Sequence, residues 1–201
     1  MANLPAPLQE VVDQLSKLPG IGPKSALRIA LTLLDLPRER AEGVGRSIIE
    51  LRERLCLCER CASLAESSPC DICSDPGRDG SSLCLVADWD SLLALEQMGM
   101  FKGLYLVLGG LISPLDGVDA SRLEFERLRR RLAEGEVREL ILALGATLEA
   151  EATASHTKNM IETAFPGVKV SRLAQGIPMG AEVKFMDKET LRQSLLHRQD
   201  V

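Results

Sequence analysis

The stretch CERCASLAESSPCDIC, residues 58–73, holds two C-x-x-C pairs, Cys58/Cys61 and Cys70/Cys73, separated by eight residues. A C-x-x-C pair lets two thiolates converge on one ion from a tight turn. Two such pairs complete a tetrahedral sulfur shell of the kind Zn²⁺ takes. Disulfides, a thioredoxin-like redox pair and an iron–sulfur cluster are the other readings. The chain begins MANLPAPLQEV, with neither a basic n-region nor an apolar h-region. No secretory signal is therefore expected, the expected location is cytoplasmic, and disulfides fit a reducing compartment poorly. A redox motif needs one pair and not two. Spacing alone leaves iron–sulfur ligation open, but the paired knuckles favour zinc. Four sulfurs leave no position for a catalytic water, so the metal is expected to hold the fold. Cys56 and Cys84 lie outside the quartet and read as buried or spectator thiols.

Upstream of the quartet the pattern is helical. Leu8, Val11, Val12, Leu15 and Leu18 recur at helical spacing, and the run breaks at LPGIGPKSA, residues 18–26. A second helix carries Ala26, Leu27, Ala30, Leu31 and Leu34 on one side, and a third, from about residue 38 to 55, carries Ala41, Val44, Ile48, Leu51 and Leu55. Gly20 and Gly22 open backbone conformations closed to other residues, and Pro23 suits a first helical turn. Without side chains in the way, backbone N–H groups and the dipole of the second helix can meet an anion. Between Asp13 and Asp35 the only charged residues are Lys17, Lys24 and Arg28. This pattern predicts a helix–hairpin–helix element that grips a nucleic-acid backbone without reading bases, through Lys17, Gly20, Gly22, Lys24 and Arg28.

Downstream, apolar strands alternate with helices. LCLVA (83–87), LYLVL (104–108), ELILAL (139–144) and VKVSRL (168–173) read as strands, with a last strand near 182–186. Helices are expected near 90–98, 122–135, 149–165 and 188–197. Such alternation predicts a parallel sheet covered on both faces. Function in these sheets gathers at the carboxyl ends of the strands. Acids collect there: Asp88, Asp90, Asp116, Glu149 and Glu151. They suit Mg²⁺ or an electronegative docking surface, while Asp90 and Glu149 also suit helix N-caps or first turns. The run Arg129-Arg130-Arg131 lies in a Glu-rich helix and reads as a solvated face. His156 and His197 have no partnered nucleophile and are assigned no catalysis.

The 201 residues suffice for one sizeable domain and a smaller one, and no apolar run is long enough to cross a bilayer. The net charge of −5 is unevenly spread. Residues 1–55 carry eight basic and seven acidic side chains, residues 56–154 nine and seventeen, and residues 155–201 seven and five. The acidic middle disfavours nucleic acid and favours a basic protein partner.

LPGIGPKSA, the quartet, SPLDG (113–117) and the E-x-E stretch Glu149–Glu151 follow one another in fixed order. With GLYLVLGG (103–110), ILALGATLEAEATA (141–154), SRLAQGIPMGAE (171–182) and TLRQSLLHRQ (190–199), they resemble the bacterial RecR recombination-mediator family over essentially the whole chain. The resemblance implies an α+β multi-element fold: a helix–hairpin–helix (1–55), a four-cysteine zinc element (56–79), a Toprim-like α/β domain (80–173) and a Walker-B-like C-terminal segment with a helix (174–201). It implies homodimers or ring-like homotetramers that encircle DNA. It also implies RecO-like and RecF-like partners that help load recombinase on gapped DNA coated with single-strand-binding protein. Lys24 and Arg28 would face DNA, Cys58, Cys61, Cys70 and Cys73 would bind zinc, and Glu149 and Glu151 would meet the RecO-like partner. Toprim enzymes close their first strand with a glutamate used as general acid/base, and here that residue is Ala87. Their later D-x-D metal pair is also missing, since the strand runs into Leu144-Gly145-Ala146. Ala150 and Ala181 stand where relatives carry glycine, and Gln175 where histidine is frequent. A non-enzymatic clamp is the resulting expectation. The alternative is a Toprim-type Mg²⁺-dependent phosphoryl transferase, nuclease or primase-like, using Asp88, Asp116, Glu149 and Glu151.

Overall fold

The computed structural model describes residues 4–198. The chain divides into two units, one ending at Leu55 and the other beginning at Cys56.

The first unit holds α1 (Ala6–Ser16), α2 (Pro23–Asp35) and α3 (Arg38–Arg54). Val12 of α1 is buried with Ala26 and Ala30 of α2, and Leu8, Leu15, Ile21 and Leu27 pack around them. Two alanines where the helices meet let the backbones approach closely, so a small core suffices to close the hairpin. α3 differs: none of its residues is buried, and Val44, Ile48 and Leu51 of its apolar stripe are exposed.

The second unit opens with the cysteine stretch. A two-stranded antiparallel ribbon of β1 (Cys56–Leu57) and β2 (Leu64–Ala65) carries the first C-x-x-C, and a short turn of helix, α4 (Asp71–Ser74), follows the third cysteine. The sheet is parallel in the order β4-β3-β5-β6, from β3 (Asp79–Val86), β4 (Gly103–Val107), β5 (Glu139–Ala143) and β6 (Lys169–Arg172). Leu85 stands beside Leu106 on one side and Leu142 on the other.

Successive residues of a strand point to opposite faces, so each apolar run supplies two cores. Leu83, Leu85, Leu104, Leu106, Leu140 and Leu142 meet α6 (Phe125–Ala133) and α7 (Leu148–Ala164) through Phe125, Leu128, Leu132, Met160 and Ile161. Cys84, Val86, Tyr105, Val107 and Ala143 face Leu92 of α5 (Trp89–Gln97) and Ala62 of the cysteine stretch. The cysteine stretch thus covers part of one sheet face.

Two elements differ from the sequence reading. Residues 182–186 form no strand; Val183–Phe185 is a 3₁₀ turn, with Val183 60% and Phe185 72% exposed. Alternation in E-V-K-F-M imitates a strand, but no neighbouring strand offers it a ladder. The Arg-rich helix begins at Phe125 and not near 122, because Ala120–Arg122 is a separate 3₁₀ turn capped by Asp119. The last helix, α8 (Lys188–Leu196), is capped by the Asp187 carboxylate, which accepts from the N–H groups of Glu189 and Thr190 at 2.9 Å.

Candidate metal centre and nucleic-acid interface

The ribbon folds the first pair of cysteines into a knuckle. Cys58 N–H donates to Ser63 O at 2.8 Å, and Ala62 N–H returns to Cys58 O at 2.9 Å. Ala62 takes a left-handed φ of 58° to close the turn. Cys70 N–H points at Cys58 Sγ, 3.3 Å away, which joins the second pair to the first. The four Sγ atoms of Cys58, Cys61, Cys70 and Cys73 lie within 4.8 Å of one another. Cys61 Sγ and Cys70 Sγ are 3.6 Å apart. A sulfur tetrahedron around zinc has edges of about 3.8 Å, given Zn–S bonds of about 2.3 Å. Three of the cysteines are buried and Cys73 is half-buried. Donor type, number and spacing therefore fit a tetrahedral thiophilic ion.

The thiols share their protons unequally. The Cys61 thiol is drawn down to about 5, chiefly by its hydrogen bond with Cys73, against burial and with help from Ser63. The same bond pushes the Cys73 thiol up. Burial pushes Cys70 up. Binding a thiophilic cation requires deprotonated thiols, so it releases protons from the cluster. Outside the cluster, burial raises the Cys84 thiol to about 12, which makes it an inert core residue. Cys56 is exposed and not buried.

The cluster is anchored to the sheet by bonds between residues distant in sequence. Cys61 O accepts from Val107 N–H of the edge strand β4 at 2.8 Å. The Arg127 guanidinium of α6 donates to Cys58 O at 2.9 Å and also to Glu59 O, while its Nε holds Glu124 at 2.9 Å. Arg60 of the knuckle reaches Glu134 at 3.2 Å. The Arg129–Arg131 run is accordingly no uniform solvated face. Arg129 pairs with Glu126, Arg130 is exposed, and Arg131 is 5% exposed and paired with Glu134 at 3.3 Å. Nothing in the sequence distinguishes Arg127 beyond its place next to this run, so its anchoring role emerges only from the fold.

At the helical hairpin, Gly20 takes φ +77°, a conformation that disfavours side chains. Gly22 is the N-cap of α2, with Pro23 next and no side-chain cap. A Cβ at either glycine would meet nothing within 4 Å. No side chain caps the first turn of α2, and Gly22, Pro23 and Lys24 are exposed, so its unpaired N–H groups can be reached by an anion. Lys17, Lys24 and Arg28 are exposed. Lys17 Nζ lies 3.4 Å from Gln14 Oε1, and none of the three cations has an ion pair with a described residue.

The acids at the strand ends are mostly engaged. Asp88 caps α5, accepting from Ser91 N–H at 2.8 Å, with Asp90 in the first turn as expected, and the Ser91 hydroxyl and N–H hold the Asp88 carboxyl below the ordinary range. Thr147, not Glu149, caps α7, with Glu149 and Glu151 in its first turn. Asp116 accepts from the Ser113 hydroxyl at 2.6 Å. Glu151 forms a two-pronged pair with Arg172. Asp90 and Glu149 keep no such side-chain bond with described residues. Among the described residues, the cysteines are the only group of three or more His, Cys, Asp or Glu side chains gathered closely enough for one ion. Ala87 is 7% exposed, and its carbonyl accepts from Gly110 N–H at 2.8 Å. His156 stacks edge-on against Phe125 at 4.9 Å, a packing role.

These features define a class: a glycine-turned helical hairpin, a four-cysteine element and a Toprim-type parallel sheet in one chain. Family models agree in order, "RecR, helix-hairpin-helix" over residues 8–51, "Toprim domain" over 81–174 and "RecR, C-terminal" over 176–199. The chain is 64% identical to the "Recombination protein RecR" of Maridesulfovibrio salexigens over 99% of both chains. It is 57% identical to the protein of that name from Nitratidesulfovibrio vulgaris over 100% of both, and 45% identical to that of Alcanivorax borkumensis over 96% of both. The chain belongs to the RecR family.

Proposed function

We propose that this chain is a non-enzymatic mediator of recombinational DNA repair that binds DNA as a clamp. It works as a homodimer or ring-like homotetramer in the cytoplasm. RecO-like and RecF-like partners act with it to load recombinase on gapped DNA coated with single-strand-binding protein. Its parts are the DNA-gripping hairpin (1–55), the zinc element (56–79), the Toprim-like domain (80–173) and the C-terminal segment (174–201). Zn²⁺ on Cys58, Cys61, Cys70 and Cys73 is structural, since four sulfurs fill its shell. Glu149 and Glu151 face the RecO-like partner.

The observation that carries the reading is the hairpin turn, where the N-terminus of α2 has no side-chain cap and lies at exposed residues with exposed Lys24 and Arg28. Such a turn accepts a phosphate and carries no base specificity. Each copy supplies few cations, so several copies around one duplex are needed for firm binding. The Ala87 position lacks the proton-transfer group that Toprim enzymes use, which supports a binding role over catalysis.

DNA binding by the Lys24→Ala/Arg28→Ala variant across a salt series tests the reading. The salt slope is expected to fall by about one for each phosphate that the variant no longer neutralises. Equal binding by variant and parent overturns the hairpin assignment. Mg²⁺-dependent nicking of plasmid DNA, abolished by Glu149→Ala, would replace the clamp by the phosphoryl-transferase reading.

A further inference from the structure

We propose that Ser63 is a positioning residue of the metal centre: its hydroxyl donates a hydrogen bond to the Cys61 sulfur once that sulfur has given up its proton to hold an ion. The inference rests on the reading of Cys58, Cys61, Cys70 and Cys73 as a metal site. That reading names the sulfur ligands and gives Ser63 no part.

Ser63 stands directly before β2, where the knuckle closes. It is 3% exposed, and a hydroxyl buried to that degree costs free energy unless it has a partner. Ser63 Oγ lies 3.2 Å from Cys61 Sγ. While the thiol keeps its proton, the S–H can donate to the hydroxyl. A thiolate has no proton to give, so in the loaded site the same contact persists only with the Ser63 O–H as donor. The reversal needs a rotation of the hydroxyl hydrogen and no movement of heavy atoms. The main chain holds the residue in place, because Ser63 O accepts from Cys58 N–H at 2.8 Å. Ser63 is thus tied to both cysteines of the first pair.

The charge of the loaded site explains why such a donor matters. Four thiolates outweigh the charge of one divalent ion, so the cluster becomes a buried anion, and buried charge needs hydrogen-bond donors. Cys58 and Cys61 are 0% and 1% exposed, so their donors come from the protein in place of water. Cys58 Sγ takes the Cys70 N–H at 3.3 Å, and Cys61 Sγ takes the Ser63 hydroxyl. The first donor is main chain and independent of the side chain that carries it. The second depends on one residue. Removing a group that orients a metal ligand from outside the ligand set costs about 10–100-fold in metal affinity.

The test strips the full chain of metal, reloads it with Co²⁺ for absorption spectra, and measures Zn²⁺ affinity by competition with a chelator. A hydrogen bond lowers the energy of a sulfur lone pair, so its loss moves the sulfur-to-cobalt charge-transfer band to longer wavelength. Ser63→Ala is expected to show that shift and to bind Zn²⁺ about 10–100-fold more weakly. Ser63→Thr keeps a hydroxyl and is expected to return both band and affinity towards the parent. Ser68→Ala is the control for loosening of the knuckle. The Ser68 hydroxyl accepts from Glu59 N–H at 2.9 Å, a bond to main chain, and its removal is expected to leave the band in place. Metal lost by Ser63→Ala and kept by Ser63→Thr supports the proposal. A Ser63→Ala band at the parent position overturns it, as does an equal shift in Ser68→Ala, or a Ser63→Thr protein that behaves as Ser63→Ala does. A parent that takes no cobalt on sulfur refutes the metal site itself. A parent with the band and an unshifted Ser63→Ala refutes only the role of Ser63.

Discussion

Arg127 of α6 and Cys58 of the metal knuckle, 69 positions apart, are joined by a hydrogen bond of 2.9 Å from the guanidinium to the cysteine carbonyl. The same guanidinium reaches the Glu59 carbonyl. The cysteine element is thereby fastened to α6 of the Toprim-type domain, while Cys61 O extends the ladder of β4 through Val107. Removing the guanidinium takes one of two donors from the Cys58 carbonyl, which keeps Ala62 N–H, and leaves the exposed Glu59 carbonyl to water. Arg127→Ala is expected to destabilise the second unit by about 1.5–3 kcal/mol and to speed release of a bound metal ion to a chelator. Arg127→Lys rescues only part, since a single ammonium cannot span both carbonyls and Glu124. Thermal unfolding and a colorimetric chelator assay measure both effects.

Replacing one cysteine of the quartet is expected to empty the metal site. Structural zinc supplies on the order of 10 kcal/mol of apparent folding free energy, so Cys70→Ala should unfold the ribbon and α4 locally. Cys56→Ala removes an exposed thiol outside the cluster and should leave one metal per chain. Metal analysis after purification without chelator distinguishes the two. A Cys70→Ala protein with full metal content would contradict the ligand set.

Gly20 has open space where a Cβ would stand, yet φ is +77°. Backbone strain and not crowding therefore sets the cost of substitution. Gly20→Ala is expected to cost about 1–2 kcal/mol, and Gly20→Asn less, because asparagine tolerates the left-handed region. Denaturant unfolding of the three proteins gives the order. Equal stability for alanine and asparagine would show that the turn relaxes.

Arg78 ties the loop after α4 to α5 and β4: it holds Glu96 at 2.6 and 2.8 Å and donates to Gly103 O at 3.2 Å. The Arg78 hydrogen bond holds the Glu96 carboxyl below its ordinary value of 4.5. A depressed carboxylate stabilises the fold fully above its unfolded pKa, and that contribution is lost as pH falls through the folded value. Glu96→Gln is therefore expected to lower stability at neutral pH by about 1–2 kcal/mol. The difference from the parent should shrink as pH falls below about 4.5. Chemical denaturation at several pH values measures it, and a constant difference down to strongly acid pH would exclude this pair as its source.

Several features were legible in the chain because their causes are local. Two C-x-x-C turns carry their ligands within three residues of each other. LPGIGPKSA contains both the glycines that turn the chain and the proline that starts α2. Runs such as LCLVA and LYLVL are apolar at every position because both faces of a parallel strand are buried. Local alternation misled at Val183–Phe185, where a strand pattern lacks a neighbour to pair with.

The order of Cys58–Cys73, the hairpin and the alternating strands was thus determined by the sequence itself. Tertiary structure alone decided what those parts are attached to. It put the Cys61 carbonyl on the ladder of β4, the Arg127 guanidinium on the Cys58 carbonyl, and Arg131 in the interior beside Glu134. It also made Asp88 the cap of α5 and opened a groove between β2 and Trp89. The physical reason is reach. A turn or an apolar period is fixed by neighbours along the chain. A hydrogen bond across 69 positions, or the burial of a charge, exists only once the sheet has brought its partners together.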